Sequence, residues 1–166
     1  IIGNKGKLFT IERIKEVVAR VIDTGPDELA LADTIGVAVP RDIANRIGFA
    51  REYAPLSMPL RLHLHDTRHT AIANAVAGLA AGVETLDASI GGMGGCPFAP
   101  KATGNVATED LLYLFDRMNV ETGINFDHVL ETSAWLEDRL NKKLPGALLS
   151  AGSFPTTGMV ASAISH

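Results

Sequence analysis

The sequence predicts an α/β fold in which parallel strands alternate with helices, amounting to about half of a TIM (β/α)8 barrel. Three observations carry this. Short apolar runs of strand length alternate with amphipathic stretches, at a period of roughly thirty residues. Polar, chemistry-bearing side chains at Asp33, at His65 and from Ser89 onward stand just past the strand ends, as in barrels and doubly wound sheets. The chain of 166 residues holds about four βα units, whereas a complete barrel takes about 250 residues.

In order along the chain, residues 9–23 place Ile11, Ile14, Val17, Val18 and Val21 at helical spacing. Residues 24–27, Thr-Gly-Pro-Asp, make a turn, and 28–32 read as a short buried strand. Pro40 opens a second helix over 41–53. Residues 60–64 form a strand, followed by an alanine-rich helix over 67–81, capped by Asp66 and stopped by Gly82. A third strand at 83–88 leads into a glycine loop, then a helix at 106–118, a very short strand at 123–125 and a helix at 126–140. Residues 1–145 are expected to form one partial-barrel domain, with 146–166 as a C-terminal tail.

Composition narrows the class. A 46% hydrophobic content suffices for a core, and a net charge of −4 argues against nucleic acid or an anionic membrane as the main partner. The single cysteine excludes an intramolecular disulfide framework. No apolar run spans a membrane, and the first residues lack the apolar core of a secretory signal, so the expected compartment is the cytoplasm.

Two constellations point to an enzyme. His63 and His65 are two apart on one strand, hence on one face, and Asp66 follows at once; neutral imidazoles in that arrangement suit a divalent ion. Asp66 also reads as a helix N-cap. Cys96 follows Gly91, Gly92, Gly94 and Gly95, so its thiol reads as an acid, base or nucleophile in a mobile loop. A phosphate-binding loop is excluded by the lack of a Gly-Lys-Ser/Thr ending. Asp33 is either a turn cap or a functional carboxylate. Asn105 reads as a helix N-cap and Glu109 as a first-turn carboxylate suited to the helix dipole; His69 has no assignment.

Four segments resemble the hydroxymethylglutaryl-CoA lyase family: residues 31–40, the cluster His63-Leu-His-Asp-Thr67, the loop Gly92-Met-Gly-Gly-Cys-Pro-Phe-Ala99, and Gly104-Asn-Val-Ala-Thr-Glu-Asp110. The resemblance runs from about Phe9 to Lys143 and implies the C-terminal part of a TIM barrel of the metal-dependent lyase and Claisen-condensing group. It implies that His63, His65 and Asn105 hold Mg²⁺ or Mn²⁺, that Cys96 is the catalytic cysteine, and that Asp33 assists. The implied reaction is retro-Claisen cleavage of 3-hydroxy-3-methylglutaryl-CoA, or a close analogue, to acetyl-CoA and acetoacetate, a step of leucine catabolism and ketone-body formation.

The chain departs from the family pattern in two places. Arg68-His69-Thr70 stands where members often carry Tyr-Gly-Gln, and nothing before Asp23 matches the family's Arg-Asp pair. The expected partners are therefore an acyl-CoA substrate and either a second copy, as a dimer, or an N-terminal half without which the chain is inactive. Lys142 and Lys143 are candidates for the CoA phosphates, with a solvated helix end as the alternative. Condensing synthases of the isopropylmalate and homocitrate type share the His-x-His motif, but typically continue Asn-Asp and lack the Gly-Gly-Cys-Pro loop. A non-catalytic, metal-binding half-barrel is the other alternative.

Overall fold

The computed structural model describes residues 10–96, 99–152 and Phe154, with the backbone alone at Cys96 and 99–103. Three strands, β1 (Leu29–Asp33), β2 (Leu60–Leu64) and β3 (Thr85–Asp87), form a parallel sheet in the order β1-β2-β3. The intervening helices are α1 (Ile11–Ile22), α2 (Pro40–Arg51), α3 (Ala71–Ala80), α4 (Thr108–Arg117) and α5 (Phe126–Leu140), with a last short turn of helix, α6 (Leu148–Ala151).

β2 shows why one face of the sheet is covered. Its alternating pattern puts Leu60, Leu62 and Leu64 into the core with Ile43 and Ile47 of α2 and Ala71 and Ala75 of α3. Gly78 brings α3 so close to β2 that a Cβ there would overlap the Leu62 side chain. Arg61, His63 and, just past the strand end, His65 belong to the other face, where register sets Ala32, His63 and Asp87 side by side. Among the described residues both sheet edges are open. Beside β1, an apolar groove of about 500 Å³ runs between Leu29–Ala32 and the Val17 and Val21 side of α1.

Four expectations change. Residues 123–125 are not a strand, so the fourth unit contributes its helix α5 alone. The third helix begins at Ala71, not residue 67, because Thr67–Thr70 form a turn in which His69 takes a positive φ of 55°. Asp66 still anchors the helix, accepting from the Ala71 amide at 2.9 Å. The glycine segment is not an open loop: a 3-10 turn at Ile90–Gly92 leads into an antiparallel hairpin of β4 (Gly95–Cys96) and β5 (Ala99–Thr103). Residues 146–148, assigned to the tail by sequence, dock back onto the body: Asp110 accepts from the amides of Ala147 and Leu148 at 3.0 and 2.9 Å. The tail continues through α6 to its cap at Gly152; beyond Gly152, Phe154 apart, it lies outside the described residues.

Candidate active site

The site lies at the C-terminal ends of β2 and β3. A segment returning from the hairpin is spliced between those ends: Val106 N–H donates to the Leu64 carbonyl at 3.0 Å, and Ser89 N–H to the Val106 carbonyl at 3.1 Å. The splice pairs His65 with Asn105 in an antiparallel bridge. Residues forty apart in sequence thus become backbone neighbours.

The His63 and His65 rings are 5.2 Å apart between centroids. His65 is only 4% exposed, and its Nδ1 is buried with no hydrogen-bond partner among the described residues. Burial, then the neighbouring His63, lowers the His65 pKa from its ordinary value, while Asp33 acts in the opposite direction. The outcome is a neutral imidazole with an unsatisfied nitrogen, the state that ligates a divalent ion. Asn105 donates through Nδ2 to the Met93 carbonyl at 3.0 Å, a bond that does not use its amide oxygen. Its sequence reading as a helix cap fails, because the N-cap of α4 is Ala107. No cluster of three or more His, Cys, Asp or Glu side chains forms among the described residues; the donor set present is two imidazoles and one carboxamide. A buried imidazole nitrogen with no hydrogen-bond partner among the described residues, on a residue bridged through the backbone to Asn105, fits a metal.

Asp33 is fully buried, and its carboxylate accepts from the amides of Val37 and Ala38 at 3.1 and 2.9 Å. Its turn-cap role is therefore occupied, and it reaches His65 only electrostatically. Cys96 pairs through its backbone with Ala99 at the end of the hairpin; its side chain, like Pro97 and Phe98, lies outside what is described. Lys143 pairs with Glu137 at 2.9 Å at the end of α5.

The glycines have a structural cause. Gly91, at φ 66°, packs under Leu144, whose side chain a Cβ would penetrate, and a Cβ on Gly104 would strike the Gly92 carbonyl. The fully buried Glu109 stands in the first turn of α4, as its sequence position predicts, and also accepts from the Gly91 amide at 3.0 Å, so it secures the glycine turn. Sequence reasoning also passed over Arg61 and Asp87. Arg61 NH1 donates to Asp87 Oδ1 at 2.7 Å, and Asp87 Oδ2 lies 3.3 Å from His63 Nδ1. An aspartate closing β3 was the only available signal.

Residues 7–136 match the HMGL-like family model. The chain is 42% identical over 141 residues to (R)-citramalyl-CoA lyase of Chloroflexus aurantiacus, covering 85% of this chain and 44% of that protein. It is 38% identical over 135 residues to hydroxymethylglutaryl-CoA lyase of Bacillus subtilis, covering 81% and 45%. The structure of an HMG-CoA lyase from Acinetobacter baumannii, in complex with coenzyme A and 3-methylmalate, superposes with a TM-score of 0.84 at 32% identity, over 91% of this chain and 49% of that one. The chain thus spans slightly less than half the length of these relatives. No helix among the described residues is long and apolar enough to cross a membrane.

Proposed function

The chain belongs to the HMGL-like family, and from that premise we propose that it supplies the metal-binding half of a carbon–carbon lyase acting on a 3-hydroxyacyl-CoA. The observation that carries the reading is the meeting of His63, His65 and Asn105 at the strand ends, beside the hairpin that bears Cys96. 3-Hydroxy-3-methylglutaryl-CoA and citramalyl-CoA are the candidate substrates. They share a thioester, a tertiary 3-hydroxyl and a 3-methyl group, and differ by one methylene in the carboxylate arm. The family likeness covers lyases named for both.

His63, His65 and the Asn105 oxygen are the donors for Mg²⁺ or Mn²⁺. When bound, such an ion supplies Lewis-acid polarisation and orientation of the substrate's oxygens. The chain's own residues do the rest. Burial keeps His65 neutral, and the carboxylate of Asp33, held by its turn, acts on that imidazole electrostatically. Transfer of the hydroxyl proton to a base lets the C2–C3 bond break, its electron pair passing to C2 to form the enolate of acetyl-CoA as the alkoxide carbon becomes the carbonyl of a keto acid. Cys96 is assigned the return of a proton to C2. The hairpin keeps water from that carbanion.

Turnover is proposed for a barrel completed along the open β1 edge, where the groove beside α1 can take a further parallel strand. The test is co-expression with the N-terminal half of the Bacillus subtilis relative, followed by acetyl-CoA release from each thioester in Mn²⁺. Release that depends on both halves is expected. A folded, Mn²⁺-binding complex that releases none from either thioester refutes the reading.

A further inference from the structure

We propose that Asp87 is a positioning residue that holds His63 in its Nδ1–H tautomer, and that Arg61 in turn holds Asp87. The proposal rests on the metal-site reading above but has a readout of its own. It begins with register. β2 and β3 pair His63 with Asp87, and β1 and β2 pair Ala30 with Arg61 and Ala32 with His63. Two small alanines on the β1 side give Arg61 room to cross the sheet. Its Nε donates to Glu28 Oε2 at 2.9 Å, just before β1, and its NH1 to Asp87 Oδ1 at 2.7 Å on β3. One guanidinium therefore ties both flanking strands to β2.

Asp87 divides its two oxygens. Oδ1 accepts from Arg61, and Oδ2 faces His63 Nδ1 at 3.3 Å. A carboxylate has no proton to give, so the imidazole supplies it from Nδ1, and the lone pair falls on Nε2. Which nitrogen of a histidine can ligate is set by the hydrogen bond the other makes, and such outer partners commonly contribute 10–100-fold to metal affinity. His63 and Asp87 are both about one-third exposed (34% and 35%). Burial alone therefore does not orient the ring; the hydrogen bond does.

The test reads the ring directly. Long-range ¹H–¹⁵N correlation of His63 in the metal-free chain, in mildly alkaline buffer, is expected to show Nδ1–H. Asp87→Ala should convert it to Nε2–H, the form free imidazole side chains favour in water. Arg61→Met keeps the carboxylate without its clamp and should give a mixture. In a Mn²⁺ titration of the co-expressed barrel, Asp87→Ala should weaken binding about 10–100-fold. An Nε2–H ring in the unaltered protein overturns the proposal without recourse to any variant. Unchanged Mn²⁺ affinity in Asp87→Ala overturns it as well. An Nδ1–H ring in a protein that binds no Mn²⁺ sinks the metal reading and leaves the positioning supported.

Discussion

Glu109 and Gly146 should be energetically coupled, and the coupling can be worked out from the structure. Glu109 is fully buried; Oε2 accepts from the Gly91 amide at 3.0 Å, while Oε1 has no partner among the described residues. Gly146 lies against the same carboxyl: a Cβ built there would overlap Oε1 and come within 3.1 Å of Cδ. Glu109→Ala loses an acceptor and orphans a buried N–H, costing about 2–3 kcal/mol, and relief of the unpaired Oε1 returns about 1. The net loss of about 1.5 kcal/mol should lower Tm by about 3–6 °C in a chain of this size. Gly146→Ala forces the overlap and should cost about 2 kcal/mol, as overpacked cores do. In the Glu109→Ala background the offending carboxyl is gone, so the same substitution should cost only about 0.5 kcal/mol. A double-mutant cycle by urea denaturation would therefore give a coupling of about 1.5 kcal/mol. Additivity within about 0.5 kcal/mol, or Glu109→Ala at unaltered stability, would refute this account of the glycine turn.

His65→Ala should abolish Mn²⁺ binding by calorimetry while the far-UV circular dichroism stays that of the unaltered protein; retained affinity would remove His65 from the donor set. Cys96→Ser in the completed barrel should lower turnover by about 10²–10⁴-fold, as for loss of a general acid, with KM nearly unchanged; full activity would mean another group protonates the enolate. Glu137 has its pKa lowered below 4.5, first by the Leu144 amide and then by Lys143. Its stabilisation is thus present above about pH 4.5 and lost as pH falls through the depressed folded value. Glu137→Gln should flatten the acid limb of the stability curve, and an unchanged limb would show that the anchor of residues 143–144 does not depend on that charge.

Much of the fold was legible because its periodicities are local. The helix at Phe126–Leu140 and the strand at Leu60–Leu64 have the bounds their hydrophobic spacing predicts, and the face-sharing of His63 and His65 follows from strand geometry alone. The order of the glycine and cysteine motifs was likewise enough to carry the family resemblance. What spacing could not supply was everything that depends on residues distant in the chain. The splice that brings Asn105 to His65 and the return of residues 144–148 onto the glycine turn are long-range pairings with no local signature. Asp33, Glu109 and Asp87 make the point most sharply. Each is a carboxylate near the end of a strand or the start of a helix, and sequence treats them alike. Only the tertiary structure decides that the first caps a turn, the second secures a buried amide and the third faces an imidazole, because a carboxylate's role is set by which donors the fold brings within about 3 Å of it.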